Sequence, residues 1–108
     1  MQKKKKIDPS EYNLIQELKA QTNHGPMVEV NSVDKYKIMI IGRGEQLFYQ
    51  QEDRALLCDI QVRNDLIYQN SIAWWDNGNA VTESEKSIIL ERLINYFKIF
   101  QKSGVKLV

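Results

Sequence analysis

Nucleophilic catalysis needs a base beside its nucleophile, and this chain carries one histidine, His24, and one cysteine, Cys58. His24 stands with Asn23, Gly25 and Pro26, a cluster that ends helices and builds exposed loops. Cys58 stands inside an apolar run, where a thiol acts as a small hydrophobe. A single cysteine excludes an internal disulfide and every multi-cysteine metal site, and His24 has no second histidine or cysteine to share a metal. Carboxylates remain. Glu52, Asp53 and Asp59 precede Gln61 and Arg63, a grouping that a metal-dependent hydrolase or nuclease could use. That chemistry wants an acid and a lysine where Gln61 and Arg63 stand, and a turn followed by a solvated strand face accounts for the same residues. Gly42 and Gly44 follow a strand-like run, as phosphate-loop glycines do, but no third glycine, lysine–hydroxyl pair or helix start comes after them. Gly42, Arg43 and Gly44 break the strand and read as a hairpin turn. The chain therefore reads as non-enzymatic, with no catalytic residue, metal site or cofactor expected.

Binding is better served. Trp74 and Trp75 adjoin, and neighbours in a strand point to opposite faces. Parity with Leu66, Tyr68 and Ile72 places Trp74 inside and Trp75 outside; a turn beginning at Trp74 would reverse this. An outward tryptophan beside the Asp76 loop is a natural anchor for a partner. The second face of the sheet adds Met39, Ile41 and Leu57 among Lys37, Asp59, Gln61 and Arg63. That mixture is too apolar for open water and too polar for a full core, so either the first helix covers part of it or another molecule does. The expected partner-binding set is Trp75, Asp76, Met39, Ile41, Leu57, Asp59 and Arg63.

The elements that must position these residues are legible. Thr82 and Glu85 form a capping box that opens a long helix to Gly104, where the glycine supplies the left-handed residue that ends it. Ile89, Leu93, Tyr96, Phe97 and Phe100 give this helix a broad apolar face, with Leu90 and Ile94 beside them and Ile88 and Ile99 as a smaller outer spot. A first helix begins at Asp8, with Pro9 in its first turn and Leu14, Ile15 and Leu18 on its apolar side. Strands are expected over Met27 to Val33, Tyr36 to Ile41, Leu47 to Gln50, Ala55 to Arg63 and Leu66 to Ala73, and Val105 to Val108 could add an edge strand. The fold class is α+β: an antiparallel meander of about five strands, a long C-terminal helix on one face, and a short N-terminal helix. Residues 1–7 read as a lysine-rich tail and 8–108 as a single domain.

With 108 residues, 43% hydrophobic and 27% charged, the chain has an ordinary globular composition. A net charge of +1 offers no field for a polyanion, and Lys3 to Lys6 would add only weak, salt-sensitive attraction. No apolar run reaches the length of a membrane span, and no apolar segment follows the lysines as in a signal peptide, so the cytosol is the expected location.

Tyr49, then Asp53, Arg54, Ala55, Leu56 and Leu57, then Ile72 three positions before Trp75, then Glu85 and the helix from Ile89 to Ile94 resemble small bacterial immunity-protein domains of the polymorphic-toxin type. The resemblance implies an α+β domain that binds and neutralises a cognate toxin without catalytic residues. It also implies that Trp75 is the packed tryptophan, against the parity argument. The function expected is binding of a protein partner; self-association into a homodimer and metal-dependent hydrolysis are the alternatives.

Overall fold

A computed structural model describes residues 7–20, 28–29, 35–102 and 104–108 of the chain. Alternating apolar residues separated by tight turns give strands β1 (Val28–Glu29), β2 (Lys35–Ile41), β3 (Gln46–Gln51), β4 (Arg54–Gln61), β5 (Leu66–Ile67) and β6 (Lys106–Leu107). Two helices flank them, α1 (Pro9–Ala20) and α2 (Glu83–Tyr96). The strands lie in one sheet in chain order; β1 to β5 pair antiparallel, and β6 joins β5 in parallel. This is the expected α+β meander, with the last residues supplying an edge strand. Of the strand expected over Met27 to Val33, only Val28 and Glu29 are described; His24 and the Lys3 to Lys6 run lie outside the described residues.

Register sorts the side chains. Ile38 faces Tyr49 and Tyr49 faces Leu56, so these three share one surface with Cys58 and Ile60. α2 roofs that surface with Ile89 and Leu93, and Phe97 follows them into the core at 0% exposure. The capping box forms as expected: the Glu85 N–H donates to Thr82 Oγ1 at 3.2 Å, and the Thr82 N–H donates to Glu85 Oε1 at 2.9 Å. The far end differs from expectation. The α-helix stops at Tyr96, and Phe97–Gln101 forms a wider π turn. The Lys102 N–H closes it on the Phe97 carbonyl, so Lys102 (φ 53°) is the left-handed residue, two positions before Gly104. The Phe100 side chain lies outside the described residues.

The opposite surface carries Met39, Phe48 and Ala55, and α1 lies on it through Ile15 and Leu18. Asp8 caps α1, its Oδ2 accepting from the Glu11 N–H at 3.3 Å. Lys37 is 6% exposed on this surface, and its Nζ donates to the Leu18 carbonyl at 3.2 Å. A cation there meets the negative end of α1, which makes its burial tolerable. The sheet is thus held between two helices.

The strand expected over Leu66 to Ala73 is a correction: β5 ends at Ile67, and Gln69–Ser71 is a 3₁₀ turn. Ser71 explains the change. Its hydroxyl donates to the Tyr68 carbonyl at 2.6 Å and accepts the Asp59 N–H at 2.8 Å, taking the place of a ladder partner.

Candidate functional site

With β5 cut short, parity no longer reaches the tryptophans. Trp75 is 0% exposed and Trp74 half-buried, which reverses the expected orientation. The Trp75 ring sits under Arg54, whose guanidinium is 4.4 Å from the ring centre, and beside Tyr49 at 6.3 Å. Its Nε1–H donates to Glu85 Oε1 at 3.3 Å, and Arg54 meets Glu85 Oε2 at 2.7 Å. Partial burial works against the Glu85 charge, but hydrogen bonds from the Thr82 backbone, Arg54 and Trp75 outweigh it and hold the carboxyl below its usual value. Further along the same row, Tyr49 stacks with Tyr36 at 6.2 Å, and Arg92 caps the row 4.3 Å from the Tyr36 ring while donating to Tyr49 Oη at 2.8 Å.

Asp76 is buried as well, at 7% exposure. One carboxylate oxygen accepts the Ala55 N–H at 3.1 Å; the other accepts Gln16 Nε2 at 3.1 Å and pairs with Lys19 Nζ at 2.5 Å. Asp76 therefore ties α1 to the β3–β4 end of the sheet. Both Trp75 and Asp76 are structural here, not free for a partner.

On the second face Met39 is covered by α1 at 4% exposure, which corrects its expected availability, while Ile41 and Leu57 stay half-buried and Asp59 is exposed. Leu57 and Asp59 border a cleft of about 420 Å³ beside the first turns of α1, with Glu11 and Leu14 on its other wall. Leu14 is 36% exposed. Beyond it a small pocket of about 70 Å³ runs past Leu57 to Trp74. The structure thus keeps Leu57 and Asp59 together, with the half-buried Trp74 nearby.

Arg63 goes elsewhere. β4 ends at Gln61 and a 3₁₀ turn begins at Val62, so strand alternation does not carry Arg63 onto the second face. It lies instead beside Arg43 at the end of the sheet under the C-terminal part of α2, a pairing for which residue spacing gave no signal beyond the glycines around Arg43.

The acids proposed for metal chemistry do not converge. Asp53 and Asp59 stand at opposite ends of β4, about 20 Å apart at the rise of a strand. Among the described residues no three His, Cys, Asp or Glu side chains are grouped as a metal would need, and no described helix is long and apolar enough to cross a membrane. Cys58 is buried; loss of solvent raises its thiol to about 11 despite the Ser71 hydroxyl 3.5 Å away. Compared with protein-family models, with curated proteins and with solved structures, the chain matches none of them.

Proposed function

We propose that this chain is a non-enzymatic, cytosolic protein-binding domain of the immunity-like kind, which acts by covering a partner, and that the strip beside α1 is the surface it offers. The observation that carries this reading is the unfinished roof over the second face. Leu57 is half-buried, Leu14 is 36% exposed, and the exposed acids Glu11 and Asp59 rim the cleft between them. An apolar strip edged by carboxylates suits a partner segment that brings an apolar side chain next to a basic one. The engagement of Asp76, Glu85, Arg54, Arg92 and Tyr49 in internal contacts supports binding over catalysis, since these polar groups brace the scaffold.

The test is affinity capture from source cells with the wild type and with a Leu14→Asp, Asp59→Lys double variant, followed by affinity measurement with the purified partner. We expect a protein partner whose affinity falls at least about tenfold in the variant, the loss of one well-placed charged contact and one apolar one. Failure to retain any protein, or equal affinity for both forms, overturns the assignment. A concentration-dependent dimer that the same variant abolishes would give the strip to a second copy of the chain.

A further inference from the structure

Two sharp turns meet at the end of the sheet farthest from the β3–β4 hairpin. Gly42, Arg43 and Gly44 run through positive φ of 59°, 60° and 84° between β2 and β3. Gly44 lies against Val62 in the turn after β4: a Cβ built on it would stand 3.2 Å from the Val62 Cβ. That close approach, together with the Ile60 N–H donating to the Glu45 carbonyl at 3.0 Å, locks the two turns together and brings Arg43 alongside Arg63. Arg43 holds a left-handed backbone that an arginine adopts at a cost, with a glycine on each side. Both guanidiniums are exposed, and among the described residues neither takes part in a hydrogen bond, an ion pair or a ring contact. They line a cleft of about 450 Å³ together with Ile38, Ile40, Val62 and Tyr96.

We propose that this cleft binds an acidic, apolar peptide segment of a protein partner, the carboxylate bridging Arg43 and Arg63 and a neighbouring apolar side chain resting on Ile40 and Val62. The charge is complementary, and paired guanidiniums match the forked oxygens of a carboxylate. A nucleic acid fits less well, because two arginines give little counterion release. The inference does not depend on the strip beside α1, which is a different surface with acidic rims.

The experiment is a backbone and arginine-side-chain NMR titration of the full chain with two synthetic peptides, acetyl-Leu-Asp-Phe-Glu-amide and its neutral counterpart acetyl-Leu-Asn-Phe-Gln-amide, and with phenyl phosphate. The acidic peptide is expected to shift Gly44, Val62 and the Arg63 Nε–H and to bind at least about tenfold more tightly than the neutral one, the worth of one charge-assisted hydrogen bond or more. An Arg43→Asn, Arg63→Gln double variant is expected to lose that difference. Asparagine tolerates the left-handed backbone, so the turn is kept, and the same spectra report whether the fold is intact. Equal binding of the neutral peptide, shifts confined to another surface, full affinity in the variant, or a response to phenyl phosphate alone would each overturn the proposal.

Discussion

The Arg54 guanidinium covers the face of Trp75, 4.4 Å from the ring centre, and the same side chain ion-pairs with Glu85 at 2.7 Å. Three elements meet through this one contact: the start of β4, the loop before α2 and the first turn of α2. Glu85 completes the junction by capping its own helix and by accepting the Trp75 indole N–H. A cation over a buried indole is held both by the ring's charge distribution and by the carboxylate beyond it.

Replacing Glu85 by alanine should therefore cost about 1–3 kcal/mol, the sum of a lost cap and weakened charge-assisted bonds at a partly exposed site. The pH dependence has a definite sign. The folded carboxyl titrates below the ordinary 4.5, so its stabilisation is present above that value and fades as pH falls through the lower folded value. Urea unfolding of the wild type and Glu85→Ala should show the full gap at neutral pH and a shrinking gap in acid. A gap that widens in acid would contradict the assignment.

The two tryptophans should respond unequally. Trp75→Ala empties the centre of the larger core and is expected to cost about 3–5 kcal/mol. Trp74→Ala removes a half-buried ring and should cost distinctly less. Chemical denaturation of both variants, with the fluorescence of the remaining tryptophan, separates them: the tryptophan left in Trp74→Ala should emit from a dry site.

Local patterning made the meander, both helix starts and the α2 core legible, because the Thr82 and Asp8 caps and the period-two strands depend only on nearby residues. The failures came where a strand stopped before its apolar pattern did. Ser71 takes the Asp59 N–H, which ends β5 early and turns Trp75 inward. The 3₁₀ turn at Val62, closed by the Asp65 N–H on the Val62 carbonyl, ended β4 and moved Arg63 off the second face. Periodicity assumes an unbroken strand and cannot register either event. Burial of Asp76 was equally hidden, since its partners Gln16 and Lys19 are distant in sequence and meet it only after α1 docks.

Asp76→Ala should loosen that docking. It leaves the buried Ala55 N–H and the Lys19 ammonium without their carboxylate, at about 2–3 kcal/mol. Hydrogen exchange should quicken first in α1 and in the strand amides around Met39 and Phe48, which α1 covers. Exchange that rises uniformly across the α2 side instead would show that Asp76 supports the whole fold and not this layer alone.

Cys58 supplies the last test, because its chemistry follows from its position. Burial raises the thiol from 9.0 to about 11, with Asp59 adding to the rise and Ser71 opposing it. A thiolate is the reactive form, so iodoacetamide should leave the folded protein unmodified near neutral pH and label it only as the chain opens. The raised value also stabilises the fold below the unfolded thiol's range, and that contribution fades as pH climbs from about 9 through about 11. Mass spectrometry of samples labelled across a urea series should show alkylation tracking unfolding, so that the same variants that loosen the core, Trp75→Ala foremost, become labelled at lower urea. Rapid labelling of the native wild type would mean that Cys58 is reached by solvent, and the packing of β4 beneath α2 would have to be redrawn.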